Sequence, residues 1–437
     1  MFMNKRFAVV TPLVASVFLA VSAVTVLAQN ATTKASKPEA ATATGTAQSD
    51  DVANEKLVDL WENMLHNVRI ARGDLAKSYA QAILDLKPKA HDVYLLSVKS
   101  TDALSVLKDQ AAKIEGVKTL TDQILKLIET GYQDDRSNPD QIGRSIIALG
   151  GGADSFENAS KRLIISGEYA IPQMVQVLAD PQSTRIQKER VASVLPRFSR
   201  ESVNAMAAAL SSGNPAVMDE VARALGQIGY RQAAPYLKAV LANPNILDST
   251  KKAVQTALVQ LVGKEGAEQS VAQLAYAAAL DYYNNDQSLV PGLQTTANVW
   301  SWQNERLTYD RVPREIYTDI YAMQLSAMAL QADPKFYPAM ALWLAADFRR
   351  EADLPNGAAD PTMPANMPSA RFFALASPPE ILQSVLANGM KIKNSAVTLG
   401  AMEALVRTQG AKSLAQPVAN GAQPLVEALR YNDRQVR

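Results

Sequence analysis

The sequence predicts an all-α protein built as a solenoid, a row of short helix pairs in which each pair buries its apolar side against the next. Three observations carry this. Apolar residues beyond Glu55 recur at i, i+3, i+4 and i+7, the period of a helix with one buried face, and no segment reads as a strand. Between Tyr169 and Gly263 the sequence is similar to itself at a period of about 30 to 34 residues, the length of one helix pair with its turn. The 437 residues include no cysteine, so stability comes from packed secondary structure rather than disulfides.

Taken in order, residues 1–28 read as a secretory signal peptide. Lys5 and Arg6 precede an uncharged run from Phe7 to Ala28 that ends in the small-residue pattern Val26-Leu27-Ala28, and cleavage is expected after Ala28. If retained, the 22 uncharged residues could span a bilayer and would tether the chain to a membrane. Export to a periplasm or a cell surface follows in either case. Residues 29–54 are rich in Ala, Thr and Ser, cannot bury a core, and are expected to form a flexible linker.

A helical N-terminal region is expected over 55–166. Leu57, Leu60, Trp61, Met64, Leu65 and Val68 share one helix face, as do Leu75, Tyr79, Ile83 and Leu86, and the pattern continues through Leu107, Ile114, Ile124 and Ile128. Both histidines, His66 and His91, fall here on separate helices with no acidic cluster beside either, so neither is assigned a metal or a base role. Gly150-Gly151-Gly152 lacks the preceding strand and the Lys-Ser/Thr of a phosphate loop and is expected to be a hinge between helices.

Residues 167–264 hold three helix pairs. In the first helices Pro172, Met174, Val177 and Leu178 correspond to Pro235, Leu237, Val240 and Leu241, with Met206 and Leu210 in the middle pair. The turns are Asp180-Pro181, Asn214-Pro215 and Asn243-Pro244, because proline cannot continue a helix but suits the first turn of the next. The second helices align as Val191/Leu195/Phe198, Val221/Leu225/Ile228 and Val254/Leu258/Leu261, with Gly229 and Gly263 supplying the left-handed residue that ends two of them, while Pro196 is expected to interrupt the first. The Pro-x-Leu-x-x-Val-Leu of 235–241, the Asn/Asp-Pro turns and the ending Val221-Ala222-Arg223-Ala224-Leu225-Gly226-Gln227-Ile228-Gly229 resemble the HEAT repeat family. The resemblance implies an alpha-alpha superhelical, HEAT-like array that binds a protein or peptide partner through its surface, and it implies no particular activity.

Composition shifts over 265–352, where 12 of the 27 aromatic residues fall between Tyr276 and Phe348. Ala322, Ala329 and Pro334 are spaced as in the second helix of a tetratricopeptide repeat, and Tyr337 to Phe348 resembles the first helix of the next, so a TPR-like helical insert is expected. Tyr317, Tyr321, Trp343 and Phe348 have near-helical spacing and are expected to be buried. Trp300 and Trp302 share one face of a short extended segment after Pro291-Gly292. They are the candidate ligand contacts, as flat faces for carbohydrate or peptide, with plugging of the module junction as the other reading. A Pro-rich loop follows over 353–374, and HEAT-like pairs resume over 375–437. The last first helix, Pro424 to Leu429, has no second helix before Arg437, so the final repeat is expected to be incomplete and the native chain to continue.

Lys plus Arg number 44 against 43 for Asp plus Glu, and 42 against 43 once Lys5 and Arg6 leave with the leader, a balance that excludes a general nucleic-acid binder. Without cysteine, thiolate catalysis and Cys-based metal sites are excluded. No Gly-x-Ser-x-Gly elbow is present, and Glu201-Ser202 lacks the Gly-Leu-Met-Gln run that follows it in lytic transglycosylases. The mixed charges Arg185, Lys188, Glu189 and Arg190, and Arg349-Arg350-Glu351, are expected to be solvated helix faces. No catalytic, cofactor or metal residue is assigned. The expected function is a scaffold that binds a protein or peptide; the alternative is the accessory arm of a cell-envelope enzyme acting on carbohydrate or peptidoglycan.

Overall fold

The computed structural model describes residues 46–292, 295–409, 424–431, 433 and 436. The leader, most of the linker and most of the final expected repeat lie outside the described residues. The chain divides into two compact units between Ser145 and Ile146, inside the region 55–166 that the sequence treats as one.

The first unit is helical: α1 (Thr46–Arg69), α2 (Gly73–Asp85), α3 (Ala90–Lys99), an irregular helical stretch over 103–113, and α4 (Lys118–Ser137). Helix α1 begins at Thr46 rather than Glu55. No Gly or Pro interrupts 46–54, so once the apolar face beyond Glu55 has fixed the helix its N-terminal extension costs little. Trp61, Met64, Ile83, Leu107 and Ile124 form its core, each at most 1% exposed. Helices α3 and α4 touch backbone to backbone at Gly131, where a Cβ would lie 2.1 Å from the Ala90 carbonyl oxygen. Helix α5 (Pro139–Ala148) crosses the division, and Gly150-Gly151-Gly152 joins it to α6 (Ala153–Ser166) as a turn between helices.

The second unit contains the repeats. Their first helices are α7 (Ile171–Ala179), α9 (Val203–Ala209) and α11 (Ala234–Leu241); the second helices are α8 (Arg185–Val194), α10 (Pro215–Ile228) and α12 (Asp248–Glu268). First helices pack on first helices and second on second, the two-row arrangement of a helical solenoid. The expected core residues Met174, Val191, Leu195, Met206, Val221, Leu225, Leu237, Val254 and Leu258 are all at most 1% exposed. The turn residues act as the sequence requires. Asn214 caps α10 by accepting from the amides of Ala216 and Val217, Pro215 occupies the first turn, and Gly229 ends the helix at φ 85°. Pro196 stops α8 at Val194 and tightens Leu195–Arg197 into a 3-10 turn. Gly263 breaks the helical dihedrals at φ 73° and ψ 176°, after which α12 continues to Glu268.

Beyond the repeats, α13 (Val271–Tyr283) packs on α11 and begins an antiparallel run with α14 (Arg314–Ala332) and α15 (Tyr337–Asp353). One expectation is overturned here. The extended segment is half of an antiparallel hairpin, β1 (Thr296–Gln303) and β2 (Arg306–Pro313), with Trp300 opposite Tyr309 and Trp302 opposite Leu307. Its two-residue turn, Asn304 at φ 48° and Glu305 at φ 60°, has both residues left-handed, the twist-matched turn for a hairpin. Glutamate is an unusual occupant, so the Asn-Gly signature that announces such a turn is absent. The chain then runs through an irregular connection over 354–369 to α16 (Ala370–Ala376), α17 (Pro379–Lys391), α18 (Ser395–Gln409) and the short α19 (Pro424–Ala428). Tyr317, Tyr321, Trp343 and Phe348 are buried as expected.

Arg349 and Arg350 are a second correction. Instead of facing solvent they are each 6% exposed. Arg349 lies 2.5 Å from Asp319, donates to the Tyr283 carbonyl oxygen and stacks over the Tyr283 ring. Arg350 holds Asp347 and Asp360, each at 2.8 Å. Helical periodicity cannot distinguish a charged face toward water from one toward a charged neighbour, because the partners come from α14, from α15 itself and from the connection.

Candidate functional site

The hairpin is pinned across the first helices of the repeats. One face of it carries Asn298, Trp300 and Trp302 from β1 and Leu307, Tyr309 and Arg311 from β2, since residues two apart in a strand point the same way. Trp300 is buried at 3% exposure. Its indole Nε1 donates to Glu168 Oε2 at 2.6 Å, and Asn298 Nδ2 donates to Glu168 Oε1 at 2.7 Å. Glu168 sits in the 3-10 turn Gly167–Ala170 that opens α7, so one carboxylate ties the hairpin to the first repeat. Tyr169 beside it stacks edge-on against Tyr309 at 5.7 Å, and Tyr309 in turn lies 4.8 Å from Trp300. On the opposite face Val299 and Val312 pack in the core shared with α14, and the Trp300 amide donates to the Tyr321 hydroxyl at 3.1 Å.

Asn204 of α9 provides a second tie. Its Nδ2 donates to the hydroxyls of Tyr282 and Tyr317, both at 2.9 Å, and the Tyr282 hydroxyl donates back to Asn204 Oδ1 at 3.0 Å. Burial pushes the phenols of Tyr282, Tyr317 and Tyr321 well above their ordinary range, so these hydroxyls serve as neutral hydrogen-bonding groups that join α9, α13 and α14. The first-helix side of the repeats is therefore largely covered by the chain's own hairpin and by α13, with a smaller opening of ≈ 240 Å³ left beside Tyr236, Val240 and Met328.

The second-helix side is different. Between α8 and α10 lies a groove of ≈ 410 Å³, walled by Ala192, Ser193, Pro196 and Arg197 on one side and Glu220, Arg223, Ala224 and Gln227 on the other. It opens beside Pro196, where α8 stops a turn short of the matching point in α10. Arg197 reaches back to Glu157 through bonds of 3.0 and 3.2 Å and holds that carboxyl below its usual range, and Arg223 pairs with Glu220 and Asp219. The Arg197 and Arg223 side chains remain 37% and 48% exposed, able to exchange these surface partners for others.

Of the sequence-predicted candidates, Trp300 is thus interior with its N–H bonded, and Trp302 is half-buried toward the hairpin tip. His66 is exposed on α1; His91 on α3 has Nδ1 3.9 Å from Asp135. Among the described residues no group of three His, Asp or Glu side chains could hold a metal, and no helix is long and apolar enough to cross a membrane. The residues that sequence reasoning missed are Glu168, Asn298, Tyr309 and Asn204. Asn298 and Tyr309 had a signal in the alternation of 296–313; Glu168 and Asn204 had none, because the partners of Glu168 lie 130 and 132 residues away and those of Asn204 lie 78 and 113 residues away.

Residues 171–259, from α7 into α12, match the family of HEAT repeats. The protein is a mostly helical chain carrying HEAT repeats, an architecture whose common use is to hold other proteins. No curated protein and no solved structure matches the chain.

Proposed function

We propose that this protein is an exported scaffold, directed to a periplasm or cell surface by residues 1–28, that holds a protein or peptide partner on the second-helix side of its HEAT repeats. The observation that carries this is the asymmetry of the array. Its first-helix side is largely covered by the hairpin and α13, leaving a smaller opening of ≈ 240 Å³ beside Tyr236, Val240 and Met328, whereas the second-helix side presents the larger groove with exposed Arg197 and Arg223. Shape and hydrogen bonding do the work, and no chemical step is needed. The test is cross-linking of the purified chain to envelope proteins, with and without the double change Arg197→Glu and Arg223→Glu. Retention of a defined partner by the wild type and its loss in the variant is expected; a partner held equally by both places the contact elsewhere. N-terminal sequencing of exported protein is expected to begin at Gln29, and Met1 retained on membrane-bound material would refute cleavage.

A second use, as the glycan-binding arm of an envelope enzyme, is favoured by half-buried Trp302 and by Tyr309, which is 37% exposed on the same hairpin face. Glycan binding lost in Trp302→Ala and kept in the arginine variant would select it.

A further inference from the structure

Helix α15 carries a buried excess of negative charge. Arg350 lies 2.8 Å from Asp347, 2.8 Å from Asp360 and 3.9 Å from Glu351, one guanidinium against three carboxylates. The Asp347 and Asp360 side chains are 1% and 4% exposed, while Glu351 sits at the rim with 36%. Asp347 receives Arg350 Nε and Nη2 on Oδ1 alone, and its Oδ2 is buried with no hydrogen-bond partner. An anionic oxygen in that position has lost water and gained nothing in return. Asp360 belongs to the connection 354–369. Its Oδ2 accepts from Arg350 Nη1 at 2.8 Å, and its Oδ1 accepts from the amide and hydroxyl of Thr362. The Arg350–Asp360 pair therefore fastens this connection to α15.

The surrounding charges deepen the excess. Asp310 of β2 feels the negative charge of Asp360. On the neighbouring face of α15, Asp319 of α14 is paired with Arg349 and also feels Asp353. Asp353 in turn faces Glu315 of α14.

We infer that Asp347, Arg350 and Asp360 form a proton-operated clamp: mild acidification places a proton on Asp347 Oδ2, leaves Arg350 and Asp360 as a one-to-one buried pair, and tightens the connection 354–369 onto α15. Burial pushes the Asp347 carboxyl up to about 6, with Glu351 and Asp360 adding to the rise and Arg350 opposing it. A folded-state value above the unfolded one means that the folded protein takes the proton first. The stabilisation is absent above about pH 7, grows as the pH falls through about 6, and is complete near the unfolded value of about 4. This is the reverse of an ordinary salt-bridged aspartate.

Hydrogen exchange of the full-length chain between pH 7.5 and 5.5, corrected for intrinsic rates, reads this directly. The amides of Thr362, Met363 and Met367 are bonded within the connection, and that of Ala370 donates to Glu351. Their protection is expected to rise about fourfold at the lower pH, the ratio that a carboxyl titrating at about 6 when folded and about 4 when open gives between these two pH values, while that of Val221–Gly229 in α10 changes less. Asp347→Asn mimics the protonated acid and is expected to give the high protection at both pH values. Wild-type protection that is flat or falls on acidification overturns the clamp, as does an equal rise in α10, which would report global stability. A variant that keeps the wild-type pH response also overturns it, and the wild-type titration decides alone if the variant does not fold.

Discussion

The Glu168 carboxylate is the residue on which the placement of the hairpin depends, and Glu168→Ala tests this. The change removes the acceptor for two charge-assisted hydrogen bonds of 2.6 and 2.7 Å. The donors left behind, Trp300 Nε1 and Asn298 Nδ2, belong to residues 3% and 5% exposed, so water replaces the lost oxygens poorly. Each orphaned donor costs about 1–3 kcal/mol. Asn298 retains a bond with the Tyr169 side chain, which places the sum at about 2–4 kcal/mol. Glu168→Gln, keeping one acceptor oxygen, should lose about half as much. Urea unfolding followed by tryptophan fluorescence measures this, read at the phase that reports Trp300, because arrays of repeats need not unfold in one step. A cycle with Trp300→Phe, followed in all four proteins by far-ultraviolet circular dichroism because this change removes the fluorophore, should give a coupling of about 1–2 kcal/mol, since each single change already breaks the shared bond. A loss below about 0.5 kcal/mol for Glu168→Ala, or additive single changes, would refute the anchoring role.

Other changes probe the remaining joints. Gly226 lies where α10 meets α12, and an added Cβ would sit 2.9 Å from Ala257 Cα. Gly226→Ala should therefore lower stability by about 1–3 kcal/mol, measured by thermal unfolding. Asn204→Leu leaves the Tyr282 and Tyr317 hydroxyls buried without their shared partner and should cost about 2–4 kcal/mol in the same assay. Glu305→Gly relieves a side chain held at φ 60° and should raise the melting temperature slightly, with a gain of about 0.5–1 kcal/mol. Purified protein is expected to show no turnover of peptidoglycan, ester or peptide substrates; turnover abolished by a single serine or carboxylate substitution would contradict a purely binding role.

What the sequence determined by itself is local and periodic. The helix pairs at 171–259, their Asn/Asp-Pro turns, the early stop at Pro196 and the left-handed Gly229 were all legible, because each depends on residues within one or two helical turns. The burial of Tyr321 and Trp343 was legible for the same reason. Tertiary structure alone decided the rest. The hairpin exists because Val299 and Val312 find the core beside α14, while Trp300 and Asn298 find Glu168 about 130 residues away; its Asn-Glu turn carries no strong local signature. Arg349 and Arg350 look like a solvated pair in sequence and are buried because Asp319 and Asp360 arrive from other elements to meet them. Periodicity reports which face of an element is apolar, but a buried charge or a paired strand is fixed by a partner distant in sequence, and that partner is supplied only when the chain has folded.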